Sequence, residues 1–501
     1  MRCSKRELKL GRYYDKIFGC AKLVKNKHMM KQNKVIIVGA GIAGLTAATD
    51  LIEQGYEVEV HETKMYAGGK AYGFHDEKGF PIEHSCRIYS KYYSLYSYMK
   101  RIPYKNSTVF HNLIQVKPYI VSDEKFFIMP DLNRKGVFVG IKNLWDGLKL
   151  IRFLQLSPKN ILFLVKKGIH YKFSSSYRKK LNTVSFKKEM LYGQDQKFQK
   201  FIVQLLSILI AARPNATANV MFQELYNFIG TGWPLPEDCH STFHLLNGPT
   251  SEHFLHPWID WLKGKGVTFV YDSHVSIQDK EVYKSKTQAG RPQKLAADAY
   301  LFCLSLKSAK ATFPKENLPS IQSEMWSNGI QFYLKKRPSN FPKDYIGGFI
   351  WNKPWHFAMA LYDNNVSWKN VKMPKGVKCI ASATFSNVVN KGVLYGKSMK
   401  ECTPTELVNE TMEQCGINRD DVVQYFIDPA IRYENNTWHE DMALYVVTPH
   451  DYPKMKTGET QFENIFLVGE FTKTKKENPS MEKSCEAGKI GAQRIIDLLN
   501  Q

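Results

Sequence analysis

The chain has 501 residues, 43% of them hydrophobic, which is enough for two or three well-packed domains and excludes a disordered protein. Nine scattered cysteines (Cys3, Cys20, Cys86, Cys239, Cys303, Cys379, Cys402, Cys415 and Cys485) contain no C-x-x-C pair. They imply neither a disulfide scaffold nor a zinc site, and they fit a reducing compartment. Seventy basic against 47 acidic residues give a net charge of +23, which predicts attraction to something anionic, nucleic acid or an acidic membrane surface.

Residues 1–33 carry ten Lys or Arg and two acids. They have no apolar core or small-residue cleavage site, so they read as a basic extension and not as a secretory signal, and Met29 or Met30 is an alternative start. Val35–Val38 then form an apolar run suited to a buried parallel strand, and Gly39, Gly41 and Gly44 follow in G-x-G-x-x-G spacing as a helix opens. Gly39 permits the tight turn, Gly41 lets backbone approach a pyrophosphate, and Gly44 lets helix pack on strand. A second strand ends in Glu62, 18 residues beyond Gly44, where a carboxylate accepts from a ribose hydroxyl and repels a 2′-phosphate. The pyrophosphate belongs on the helix N-terminus, beside the N–H groups of Ala40, Ile42 and Ala43. These features predict a site for the ADP half of a dinucleotide.

Further along, residues 141–167 place Ile141, Leu144, Trp145, Leu148, Ile151 and Leu154 on one helical face, with Asp146 the only acid. Ser157-Pro158 caps and starts a second helix carrying Ile161, Leu162 and Leu164 among Lys159, Lys166 and Lys167. A basic helix pair with a Trp/Leu face is the pattern of an interfacial helix; the alternative is a core helix with a solvated basic side. This distribution favours an anionic membrane, bound peripherally, over nucleic acid. No segment reaches the length of a membrane span, and residues 201–212 read as a buried helix or pocket wall. Residues 280–294 read as a hairpin loop, Ala296 onward as a strand, and the segments near Gln331 and Trp351 as strand-rich; Trp351, Trp355, Phe357 and Tyr362 are candidates to line an apolar tunnel, although aromatics in strands more often simply fill core. His253 and His256 lack a third partner at metal-ligand spacing and read as surface or loop residues. Neither Gly230 nor Gly264 heads a second complete glycine fingerprint, so a separate NADPH site is not expected. From Asn464 the chain reads as a strand ending in Gly469-Glu470, a loop, and a helix from about Ser480.

The segment Glu62-x(5)-Gly68-Gly69-Lys70, together with the Gly469-Glu470 strand end and the helix opening at Ser480-Met481, resembles the FAD-dependent amine oxidase and carotenoid desaturase superfamily. The stretches at Glu83, Leu245, Glu401 and Ser480 are more similar to its desaturase branch. Three positions depart from that pattern: Glu470 replaces the common Asp, Lys483 a small residue, and Ser85 a Gly.

The resemblance implies an α/β fold: a discontinuous Rossmann-type FAD domain (residues 34–110, 245–310 and 460–501) with an inserted mixed-sheet plus helical substrate domain, facing a membrane (111–244 and 311–459). It implies that Val275 meets the adenine through its backbone, that Glu470 meets the ribityl or pyrophosphate region, and that the Ser480 helix faces the pyrimidine end of the flavin. The expected activity is FAD-dependent dehydrogenation, or isomerisation, of a long apolar polyene or isoprenoid, with hydride passing to flavin N5 and electrons leaving to a quinone or oxygen. Glu83, His84 and Arg87 are candidates near the flavin, or a structural ion-pair set. A flavin amine oxidase is the alternative enzyme. A binding protein resembling the Rab GDP-dissociation inhibitors is the alternative of another class, disfavoured by the complete glycine and acid set. The expected location is cytoplasmic and membrane-peripheral.

Overall fold

The protein, as a computed structural model, is described for residues 33–122, 125–128, 145, 148–149, 151–210, 213–229, 243–287, 289–321 and 324–501. The basic extension, residues 141–144, and the cysteines at 3, 20 and 239 lie outside these.

The chain opens with β1 (Lys34–Val38), α1 (Ile42–Glu53) and β2 (Glu57–His61), then a short helix α2 (Tyr93–Met99). Strands β3 (Tyr119–Val121) and β4 (Phe126–Ile128) precede a helical stretch that includes α3 (Pro158–Phe173), α4 (Gln196–Ile210) and α5 (Ala218–Ile229). After β5 (Thr268–Val270) comes a hairpin of β6 (His274–Gln278) and β7 (Glu281–Ser285), and then β8 (Ala299–Cys303). Strands β9 (Asn328–Leu334), β10 (Gly347–Ile350), β11 (Phe357–Tyr362), β12 (Cys379–Phe385) and β13 (Val422–Ile427) follow. The chain closes with β14 (Ile465–Val468) and α6 (Met481–Leu499).

Two sheets organise these elements. The first is parallel, in the order β5-β2-β1-β8-β14, so three distant parts of the chain meet in one layer. Val35, Ile36 and Ile37 are fully buried, as expected of a strand covered on both faces. The second sheet is mixed, in the order β4-β3-β10-β11-β12-β9-β13, with β3 and β10 parallel and the other neighbours antiparallel. Its strands come from residues 119–128 and 328–427, between the pieces of the first. The architecture is therefore a Rossmann-type layer interleaved in sequence with a second sheet and a helical layer. The segment 280–294 joins β6 and β7 to a short third strand at Gln293–Lys294, forming a small sheet of its own.

Of the two readings of the aromatics around β10 and β11, core filling holds and the tunnel does not. Trp355 and Phe357 are fully enclosed in a core with Phe385 and Leu407, Trp351 packs into the core of the helical layer, and Tyr362 stacks on Trp368 at 4.3 Å. Every residue of β11 and β12 is buried because both faces of the sheet are covered, so bulky side chains there fill core. His253 is also corrected: it is buried, accepts a 2.8 Å contact from the Tyr104 hydroxyl, and burial lowers its ring pKa to about 4.

Helix α6 lies on α1 and β8 through two glycines. A Cβ on Gly488 would stand 2.2 Å from the Ala43 carbonyl oxygen, and one on Gly491 would meet the Leu301 side chain at 2.6 Å. Backbone cannot yield as a side chain can, so Gly488→Val is expected to cost about 1–3 kcal/mol or more through overpacking. Chemical denaturation should show that loss, with Gly458→Ala or another loop change as the comparison for general fragility.

Candidate functional site

The turn after β1 gives the site its form. Gly39 adopts φ +100°, and a Cβ there would strike the Cys303 carbonyl oxygen at 2.4 Å. A Cβ on Gly44 would strike the Gly39 oxygen at 2.0 Å, so the turn closes tightly on the first turn of α1. Gly41 differs from both. It has extended backbone, φ −74° and ψ −177°, and its Cβ would meet nothing closer than Gly69 Cα at 3.9 Å. No side chain caps α1 and no acid sits in its first turn, so its orphan amides and positive dipole end are left for a ligand.

Those amides open onto a cavity of about 830 Å³. Gly39, Gly41, Ile42, Ala43, Glu62, Gly68, Gly69, Lys70, Val275, Gly469, Glu470, Ser480 and Met481 all line it. Ala40 and Gly44 lie behind, both buried: Ala40 donates its N–H to Glu62 Oε2 at 2.8 Å and accepts from Gly68 N–H at 2.8 Å. Glu62 Oε1 accepts from Lys64 N–H at 3.0 Å, so the carboxylate is fixed at the mouth with lone pairs to spare. At the other end Ser480 caps α6 through Lys483 N–H, and Glu482, two residues on from the cap, accepts from Ser94 and Leu95 N–H at 2.8 Å each, tying α6 to the start of α2.

The three departures from the family pattern also line the cavity, two of them in ion pairs. Lys70 Nζ donates to Glu470 Oε2 at 2.8 Å and to the Ala443 carbonyl at 2.5 Å. Lys483, 1% exposed, donates to Glu477 Oε2 at 3.1 Å.

Glu83, His84 and Arg87 do not act as one group. Glu83 is paired with Arg87, accepts from Thr250 N–H at 2.6 Å, and lines a small separate pocket with Arg87; Arg87 also reaches Thr250 Oγ1 at 2.8 Å. These bonds tie Glu83 and Arg87 to the segment at Thr250, while Arg87 also lines the large cavity. His84 instead faces the second sheet, with Nδ1 2.7 Å from Asp428 Oδ1.

Sequence reasoning missed Asn328, Asp428 and Glu440, which complete that wall of the cavity together with Thr384, Phe349 and Ala358. Burial pushes the Glu440 carboxyl up to about 8, with the Asp428 charge adding to the effect. Ile208 and Leu209 of α4 supply an apolar patch. Among the described residues no three His, Cys, Asp or Glu side chains are grouped to hold a metal ion.

Residues 37–102 match the family described as NAD(P)-binding Rossmann-like domain. The chain is 39% identical over 70 residues to the zeta-carotene desaturase of Capsicum annuum, covering 14% of this chain and 12% of that protein. It is 40% identical over 68 residues to the hydroxysqualene dehydroxylase of Zymomonas mobilis, covering 13% and 16% respectively. These matches thus span well under a fifth of the relatives' own length. In fold the likeness extends to whole chains: cyclohexylamine oxidase from Brevibacterium oxydans superposes with a TM-score of 0.58 at 12% identity, over 94% of this chain and all of that one. Putrescine oxidase bound to putrescine does so with a TM-score of 0.57 at 14% identity, over 93% and 99%.

The glycine turn makes a clean test. Gly41→Val has room in the empty turn but puts a branched side chain into the cavity, so the variant should fold with wild-type circular dichroism and lose dinucleotide binding at least tenfold. Gly39→Val should fail to fold stably. Equal dinucleotide affinity in wild type and Gly41→Val, measured by fluorescence titration, is the result that excludes this cradle.

Proposed function

We propose that this chain, which belongs to the FAD-dependent amine oxidase and carotenoid desaturase superfamily, binds FAD and uses it to dehydrogenate or isomerise a long apolar polyene or isoprenoid lipid. The observation that carries the reading is an uncapped helix N-terminus opening onto a cavity that continues past a second helix N-terminus to an apolar wall. The residues present fit the cofactor. Glu62 would accept from a ribose, the α1 amides and Lys70 would hold the pyrophosphate, Glu470 would serve the ribityl or pyrophosphate region, and the Ser480 end of α6 would supply its positive dipole end to the flavin. When bound, FAD supplies the acceptor for a hydride at N5, and the protein supplies orientation and electrostatics. Ile208, Leu209, Phe349 and Ala358 exclude water from the reacting carbons, and oxygen or a quinone removes the electrons.

We further propose that a lipid surface delivers the substrate to a cytoplasmic, peripherally bound protein. On α3, capped by Ser157 as the sequence predicts, Leu162, Val165, Ile169 and Phe173 repeat at helical spacing and are 50–76% exposed. Lys159, Lys166 and Lys172 are exposed beside them, and the helix carries no acid. Trp145 and Leu148 are exposed as well. The opposite side, with Phe163, Leu164 and Tyr171, packs into the core, so the helix divides its apolar residues between protein and exterior. An exposed apolar stripe flanked by lysines suits an anionic bilayer. No described helix is long and apolar enough to cross a membrane.

Two outcomes follow. Purified protein should carry noncovalent FAD, and under anaerobic conditions a polyene or isoprenoid supplied in vesicles should bleach it, or be isomerised once the flavin is reduced; polyamines and aromatic amines should do neither. Bleaching by amines alone would turn the assignment to an amine oxidase. Separately, cosedimentation with phosphatidylserine vesicles should fall at least fivefold in Leu162→Ser/Ile169→Ser/Phe173→Ser, and salt should weaken wild-type binding without abolishing it. Undiminished sedimentation of that folded variant would remove α3 from the membrane.

A further inference from the structure

Several buried carboxylates in this protein are each met by a set of donors. Glu410 accepts from the N–H groups of Val393, Leu394 and Tyr395, Glu482 from those of Ser94 and Leu95, and Glu83 from Thr250 N–H and from Arg87. Glu224, on α5 and lining the cavity, is held differently. It is 6% exposed, and its Oε1 is sealed from water with no hydrogen-bond partner. The cation paired with it, Lys476, keeps its Nζ 3.7 Å from that oxygen, beyond hydrogen-bond distance. Lys476 gives a hydrogen bond to the Ser90 carbonyl at 2.9 Å and lies over the Tyr92 ring at 4.6 Å. A carboxylate taken out of water needs hydrogen bonds as well as a counter-charge, and Glu224 Oε1 has the counter-charge alone. The backbone cannot shift to repair this, because α5 is clamped at that turn: Gln223 donates to the Lys475 carbonyl at 2.9 Å and accepts from Glu477 N–H at 2.9 Å.

The setting sorts the ligand that would supply the donor. The residues assigned above to the cofactor come from the loops of the first sheet, from the β6 hairpin and from α6, whereas Glu224 belongs to the helical layer, as do Ile208 and Leu209, the apolar patch of the same cavity. The surrounding charge argues against a cation. Lys476 already offsets the carboxylate and Lys91 lies within electrostatic reach of both, so an ammonium would be a third positive charge against one negative. A neutral O–H meets the need without that cost.

We propose that Glu224 accepts a hydrogen bond from a hydroxyl of the lipid, so that the substrate is an isoprenoid or polyene alcohol and not a plain hydrocarbon. The inference rests on the lipid reading above and adds the polar end which that reading leaves open. Anchored at Glu224, the chain lies along Ile208 and Leu209, and one hydrogen bond fixes which of its carbons comes to the reacting position. No bond is made or broken at Glu224; it binds the substrate and sets its register.

Binding of geranylgeraniol, its methyl ether and geranylgeranylamine to the purified full-length protein, followed in detergent micelles by tryptophan fluorescence, tests this. The ether keeps the chain and the oxygen but lacks the donor, and the amine brings a cation at neutral pH. Wild type should bind the alcohol at least tenfold more tightly than either, the size expected of a hydrogen bond to a buried charged group. Glu224→Leu/Lys476→Met removes both charges together so that neither is stranded, and it should bind alcohol and ether within twofold of each other. Should that variant not fold, the wild-type comparison stands without it. Equal affinity of wild type for alcohol and ether would overturn the proposal, and tighter binding of the amine would overturn it in favour of a cationic ligand. Alcohol and ether bound alike, with FAD uptake lost in the folded double variant, would assign the carboxylate to the cofactor instead. FAD uptake is read separately by absorbance: colourless protein that still prefers the alcohol removes the flavin reading and keeps this one, and yellow protein without the preference does the reverse.

Discussion

Everything in the site depends on one close contact, the seating of α6 on α1 where Gly488 meets the Ala43 carbonyl. With no Cβ between them, the two helices approach far enough for both N-termini to open onto the same cavity. Gly491, under Leu301 of β8, fixes the height of α6 above the sheet. Glu482 transmits the placement outward by holding the first amides of α2. A residue with any side chain at Gly488 would lift the last helix, and the second half of the cavity would move with it.

That constraint also explains why part of the site was legible in the sequence. The βαβ unit is local: strand, turn, helix, strand and Glu62 fall within residues 34–62, so spacing alone encodes the geometry. The cap at Ser480 and the α3 start at Ser157-Pro158 are local in the same sense. The wall formed by Asn328, Asp428 and Glu440 is not. Asn328 begins β9, Asp428 follows β13, and Glu440 belongs to a separate hairpin, so their meeting is a product of sheet order and leaves no periodic trace. The aromatics of β10 and β11 left two readings open for a related reason. A strand buried on both faces and a strand lining a tunnel have the same composition, and only the layers above and below distinguish them.

The departures from the family pattern make sense as charge balance. A glutamate at 470 reaches one carbon further than aspartate and meets Lys70, which is anchored from the other side by the Ala443 carbonyl. Lys483 is buried where a small residue is usual, and Glu477 stands ready beneath it, itself fixed by Thr474 N–H at 3.3 Å and by Gln223 accepting from its own N–H at 2.9 Å. Breaking the buried Lys483–Glu477 pair by removing one partner leaves an uncompensated buried charge, whereas the Lys70–Glu470 pair is partly exposed. With both lysines neutralised by their partners, the positive character on this side of the cavity is that of the helix N-termini themselves.

The opposite wall has the reverse character. Asp428, which follows the last strand of the second sheet, and Glu440, on a separate hairpin, stand here, and burial with the Asp428 charge raises the Glu440 carboxyl. The cavity is thus lined by helix N-termini on one part and by these carboxyl groups on another. The apolar residues Ile208 and Leu209 of α4 line it between them, and a low local dielectric strengthens the influence of both. The interleaving of the two sheets along the chain is what brings these parts to one cavity.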